Sequence, residues 1–164
     1  MPHFRALFLS LALVFGTGVA HAQETRVAFG NTKADTSLPV EVTADSLDVN
    51  QADGSAEFSG DVLVVQGDMR LTANRVYVVY DRAESRIARL EATGEVLLVS
   101  GQDAAESDRA DYSIDTGTIV MTGNVMLTQG PSALSSDRMT VDLTTGTARM
   151  AGRVKTILNP SGGD

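Results

Sequence analysis

Ala56-Glu57-Phe58-Ser59-Gly60-Asp61-Val62-Leu63-Val64-Val65-Gln66-Gly67 is the stretch that decides the fold. Its first glycine is followed two places later by Val, four places later by an aliphatic residue, and seven places later by a second glycine. The arrangement recurs at Gly94 (Val96, Leu98, Gly101) and Gly123 (Val125, Leu127, Gly130), and in part at Gly152 with Val154. These four glycines are spaced by 34, 29 and 29 residues. A second landmark lies upstream of each: Asp45, Asn74, Asp108 and Asp137, spaced by 29, 34 and 29. Three of them sit 15 residues before their glycine and Asn74 sits 20 before, so the second unit carries an insertion. Such self-similarity at a fixed period marks a repeat architecture.

Within each unit the apolar period is two. Leu47 and Val49 alternate with Ser46 and Asp48; Val76, Val78 and Tyr80 share one face; Tyr112 and Ile114, then Met139, Val141 and Leu143, repeat the pattern. Half-buried strands produce this alternation. Turns with Asp53-Gly54, Thr116-Gly117 and Thr145-Gly146 follow. A second short strand then runs into the landmark glycine (56–58, 119–121, 148–150) and a third follows it (62–65, 96–99, 125–128). No stretch after residue 22 keeps a helical period beyond two turns; 83–90 comes nearest, and its Ile87 and Leu90 fit a strand equally. The expected fold is all-β, a repeat-built stack of short antiparallel strands. The pattern alone leaves open a sandwich, a β-solenoid or an open jelly roll.

The flanks differ from this pattern. Residues 1–22 read as a signal peptide: Arg5 precedes an uncharged apolar run from Ala6 to Val19, and Ala20-His21-Ala22 has the form of a cleavage site. Cleavage would give an exported, soluble chain starting at Gln23. Residues 23–38 read as a mobile N-terminal arm, 39–158 as the folded domain, and 159–164 as a flexible tail. The chain has no Cys, and its only histidines, His3 and His21, fall in the signal segment. A Ser-His-Asp triad, a Cys-His dyad and a His/Cys zinc site are thereby excluded, while carboxylate chemistry is not. The net charge of −8 argues against nucleic acid as a partner. No cofactor or metal is expected.

The segments Val42-Thr43-Ala44-Asp45-Ser46-Leu47, Ala56 to Val62, and Val65-Gln66-Gly67 through Leu71-Thr72-Ala73-Asn74-Arg75-Val76 carry a resemblance. Gly123-Asn124-Val125 with Gln129-Gly130 repeats it more weakly. Across 39–154 the chain resembles the OstA-like (LptA) family of periplasmic lipopolysaccharide-transport proteins. The resemblance implies a twisted, V-shaped β-jelly roll whose two open ends pair head to tail with neighbouring copies. It implies a groove that shields the acyl chains of lipid A, and a bridge between inner-membrane LptC-like and outer-membrane LptD-like components. The presence of only two Lys, Lys33 and Lys155, sets limits on charge-based head-group recognition.

The apolar stripe is the first candidate site. Leu47, Val49, Phe58, Val62, Val64, Leu71, Val76, Val78, Leu98, Tyr112, Ile114, Met121, Leu127 and Met139 are expected to point inward. Pattern alone makes this an ordinary core; the resemblance makes it a lipid groove, and adaptable Met residues with few aromatics agree with that. The recurring acids Asp45, Asp108 and Asp137, with Glu57, Asp61 and Glu95, read as strand starters and turn caps rather than a Ca²⁺ ladder or a carboxylate pair for glycoside hydrolysis. Arg70, Arg75, Arg82, Arg86 and Arg89 read as a solvated face paired with Asp81, Glu84 and Glu91, or as a contact for lipid phosphates or an acidic neighbouring subunit. Val40 and Val42 at one end, and Val154 and Ile157 at the other, are expected at edges open to strand pairing. Three rivals to a lipid bridge remain: a membrane-anchored LptC-like partner, a carboxylate-dependent polysaccharide hydrolase on a β-solenoid, and a repeat with a filled core.

Overall fold

The computed structural model describes residues 25–30, 34–83 and 85–157. The expected signal peptide and the flexible tail lie outside them. Eleven strands occur among the described residues: β1 (Thr25–Ala28), β2 (Glu41–Thr43), β3 (Ser46–Asn50), β4 (Ser55–Gln66), β5 (Met69–Asp81), β6 (Arg86–Ser100), β7 (Asp103–Ser113), β8 (Thr118–Gln129), β9 (Ser132–Asp142), β10 (Thr147–Ala151) and β11 (Lys155–Ile157). Every pairing is antiparallel. The order is β1-β10-β9-β8-β7-β6-β5-β4-β2, with β3 also on β4 and β11 also on β9. The fold is an open antiparallel sheet, as the alternation and repeat lead one to expect.

The landmark glycines do something other than separate two short strands. Gly60 lies inside β4, Gly94 inside β6 and Gly123 inside β8, so one long strand passes through each. The ladder shifts there: Ser59 pairs with Arg75 but Val62 with Ala73, leaving Gly60 and Asp61 opposite Asn74 alone. Two residues against one is a β-bulge, which bends the strand and adds twist. At Gly123 φ is +80° and at Asn124 it is +49°, two successive left-handed residues. A side chain at Gly123 would collide with the Asp108 carboxylate, so neither the backbone nor the space admits one. The other units repeat this: Asp45 covers Gly60, Asn74 covers Gly94 and Asp137 covers Gly152. The paired landmarks of the sequence are thus one corner, seen from its two strands.

Aligned corners crease the sheet into two half-sheets that face each other. The first holds β3, one arm each of β4 to β9, then β10 and β1; the second holds β2, the remaining arms and β11. Their inner faces supply the core, with Val62, Val76, Leu98, Ala105, Ile119, Met121, Leu127, Met139, Val141 and Met150 at 0–1% exposure. Burying each of these side chains larger than Ala contributes roughly 1.5–3 kcal/mol, which replaces the disulfides this chain lacks. The insertion in the second unit lengthens the β5–β6 hairpin, whose strands of 13 and 15 residues are the longest of the described set.

The N-terminal segment corrects the expectation of a mobile arm. β1 pairs with β10 from Thr25↔Met150 to Ala28↔Thr147, and Phe29 is buried at 2% exposure. The missed cue is the alternation of Arg26, Val27, Ala28 and Phe29, which is too short to register without its partner more than a hundred residues away.

Candidate functional site

The site is the space between the half-sheets, with its two ends and its mouth. Ten of the fourteen expected inward residues are buried: Val62, Val64, Leu71, Val76, Val78, Leu98, Tyr112, Met121, Leu127 and Met139. Phe58 and Ile114 are partly buried against them. Leu47 and Val49 depart from the expectation, at 52% and 61% exposure. They pair with Phe58 and Ala56, and directly opposed residues share a sheet face, so both belong to the inner row. They stay uncovered because β3 is the last strand of its half-sheet and no described residue stacks beyond it. One end of the interior therefore presents bare apolar side chains. At the other end, Ile157 is 51% exposed on β11. Of the expected edge residues, Val40, Val42 and Val154 are partly buried against the core, and Val42 pairs with Val64.

Polar chemistry inside is sparse. The buried polar residues among those described are Ser55, Gln66, Ser100, Ser107 and Ser136, together with the Tyr112 hydroxyl; none is a carboxylate. The Tyr112 hydroxyl, on the first half-sheet, donates to Gln66 Oε1 on the second, so one hydrogen bond crosses the interior. The Gln66 side-chain amide then donates to the carbonyls of Thr36 (3.0 Å) and Leu38 (2.9 Å). Burial pushes the Tyr112 phenol up to about 12, against an opposing pull from the Gln66 hydrogen bond. The unfolded chain ionises its phenols from about pH 10, while folded Tyr112 stays neutral to about 12. Stability is therefore expected to fall as pH rises through that window and to level off above it. Alkaline titration followed by phenolate absorbance checks this: one tyrosine should titrate late, with unfolding, and Gln66→Leu should not bring it back to 10.

The mouth opposite the crease is crossed by the N-terminal segment. The Phe29 amide donates to the Gly146 carbonyl (2.9 Å) and the Ala34 amide to Leu143 (3.0 Å), both on the first half-sheet. The Gly30 amide donates to Asp103 Oδ2 (2.8 Å), and Gln129 Nε2 donates to the Ala28 carbonyl (2.8 Å), both from the second. Gln66 and Gln129 each precede the second glycine of a unit. Their recurrence was visible in the sequence, but their role as anchors for this segment was not.

The landmark acids serve the corners. Asn124 Nδ2 donates to Asp108 Oδ2 (2.9 Å), Asn74 Nδ2 to Glu95 Oε2 (3.3 Å), and Arg153 pairs with Asp137 (2.6 Å). The Arg153 guanidinium holds the Asp137 carboxyl below the usual range. Among the described residues no group of three or more His, Cys, Asp or Glu is placed to hold a metal ion. The arginines spread over separate partners: Arg75 reaches Glu57 (3.1 Å), Arg82 the Ala52 carbonyl (2.7 Å), Arg86 Asp115, and Arg89 Glu91. Of the expected partners Glu91 is used, and Glu84 lies outside the described residues. Glu91 is shared with Arg109, which also grips Asp111 at 3.0 Å, a cluster the sequence reading missed.

A creased open antiparallel sheet with an apolar interior defines a fold of the jelly-roll class. The chain belongs to the family described as LptA/(LptD N-terminal domain) LPS transport protein, which matches residues 41–147. It is 34% identical over 73 residues to the lipopolysaccharide export system protein LptH of Pseudomonas aeruginosa, covering 44% of this chain and 40% of that one. It is 27% identical over 120 residues to an uncharacterized protein of Rhizobium meliloti, covering 69% of this chain and 63% of the relative. The chain thus spans less than two thirds of the length of both relatives. The crystal structure of Pseudomonas aeruginosa LptH, the LptA-homologous periplasmic component of a lipopolysaccharide transport device, superposes with a TM-score of 0.68. At 19% identity, that match covers 77% of this chain and 99% of the other.

Proposed function

We propose that this chain is a periplasmic lipopolysaccharide carrier that bridges inner and outer membranes, shielding the acyl chains of lipid A between its half-sheets. The observation that carries the reading is the inner row itself. It is continuous, apolar and free of buried carboxylates among the described residues, and it runs out uncovered at Leu47 and Val49. Such a row suits sliding acyl chains and offers no acid or base for hydrolysis, which disfavours the polysaccharide-hydrolase alternative. The family supports lipopolysaccharide as the ligand, and the carrier is taken to meet LptC-like and LptD-like proteins at its two ends. Between half-sheets packed this closely, chains enter by spreading the crease. Met69, Met121, Met139 and Met150 line the interior at 0–1% exposure and can repack around a ligand. Head-to-tail pairing of copies then joins one interior to the next. Binding of purified lipopolysaccharide to the mature protein tests the reading, with single-chain detergents as controls. Saturable binding that the detergents fail to match is expected; lipopolysaccharide bound no better than detergent would contradict it.

A further inference from the structure

The internal joints of the repeat obey one register rule. Phe58 pairs with Val76, Ala92 with Ala110, and Met121 with Met139. Each pair joins the residue two before a landmark glycine to the residue two after the next landmark. The flanking inward pairs follow suit: Ala56↔Val78, Leu90↔Tyr112, Ile119↔Val141. On β10 the corresponding residues are Met150 and Ala148, and the next landmark after Asp137 would be Asp45 of a second copy. The rule then seats Leu47 on Met150 and Val49 on Ala148, which covers the two bare inner-row residues. It also sets Asp48 opposite Arg149.

β1 now occupies that seat and fits it poorly. It sets Thr25 on Met150 and Val27 on Ala148, and it sets Arg26 directly opposite Arg149. Like charges directly opposed across a ladder are destabilising, whereas Asp48 against Arg149 would attract. Strand direction agrees. Following the antiparallel pairings along the sheet, β1 and β3 run the same way and β10 runs against both. A copy stacked head to tail would meet β10 with an antiparallel β3, and β11 with an antiparallel β2, but would meet β1 in parallel. With β1 in place the first half-sheet also ends one strand beyond the second, a step of about 4.8 Å that prevents a flush joint.

We propose that β1 is a placeholder on the edge of β10, and that β3 of a second copy displaces it in the register Leu47↔Met150, Asp48↔Arg149 and Val49↔Ala148. This deepens the bridging reading and rests on it. The chain has no Cys, so engineered cysteines report cleanly. In Arg26→Cys/Arg149→Cys, oxidation locks β1 onto β10 in an otherwise full-length mature chain. The oxidised form should associate at least about tenfold more weakly than the same protein reduced, because the competent state is removed. In mixtures of single variants, Asp48→Cys should link to Arg149→Cys and not to Arg26→Cys. Equal association of the oxidised and reduced forms, or linkage of Asp48→Cys to Arg26→Cys, overturns the placeholder while leaving bridging intact. If wild type and the reduced variant both stay monomeric at every concentration, the bridging reading itself falls and this seat falls with it.

Discussion

Leu127→Asp should abolish the cooperative melting transition or lower it steeply, while Glu57→Ala leaves it nearly unchanged. Leu127 has 0% exposure on β8 and pairs with Ala105 on one side and Leu134 on the other, all within the second half-sheet and facing the first. Removing its side chain alone forfeits about 2–5 kcal/mol, and an unpaired carboxylate in its place adds a desolvation penalty of several more. A domain of ordinary stability, about 5–15 kcal/mol, cannot absorb much of that. Glu57 sits on the opposite face in an ion pair with Arg75, with side chains 40% and 60% exposed, and such pairs contribute at most about 1 kcal/mol. Val64→Asp belongs with Leu127→Asp. Thermal denaturation followed by circular dichroism separates the two classes, and equal melting temperatures would mean the faces are wrongly assigned.

Ile157→Pro should abolish transfer of lipid between membranes while leaving the central strands folded. Ile157 lies on β11, a three-residue strand paired only through Ala133 to Ser135 of β9, and it is half exposed. Proline there removes a ladder donor. If that N–H faces β9, β11 detaches; if it faces outward, the next copy loses its partner. Either way the second half-sheet no longer offers an antiparallel edge to β2 of a neighbour. The joint buries a modest strip, so wild-type association should be weak and concentration-dependent. Light scattering against concentration is expected to show growth for wild type and none for the variant, which should still bind lipid singly. A variant that transfers lipid at the wild-type rate would contradict pairing through this end.

Much of this was legible from spacing and alternation. The landmark offsets coincide with the corners, and of the fourteen residues that period two puts on the packed side, twelve are buried or partly buried. Alternation puts Leu47 and Val49 on the row of Phe58 and Ala56, but their exposure depends on what lies beyond β3, and no strand pattern encodes that. The corner itself was misread as a gap between strands. A glycine followed by a second left-handed residue, as at Gly123 and Asn124, looks in sequence like any turn, and only the pairing on both sides reveals a bulge. The N-terminal segment was hidden for a different reason. Its hold on the sheet comes from backbone groups of Phe29, Gly30 and Ala34 and from the Gln66 and Gln129 side chains, and neither leaves a hydrophobic period to read. The cross-interior bond from Tyr112 to Gln66 likewise links residues 46 apart on strands that do not pair.

The central claim is that lipid travels along the inner row, and photo-crosslinking from single positions tests it most directly. A photoreactive side chain at Leu47, Val49, Phe58 or Ile114 occupies the inner row without displacing a fully buried residue. The same group at Asp48 or Glu57 sits one residue away on the opposite face. Lipopolysaccharide adducts at the first four positions and none at the last two are the predicted result. Adducts of equal yield on both faces, or on the outer face alone, would contradict the account.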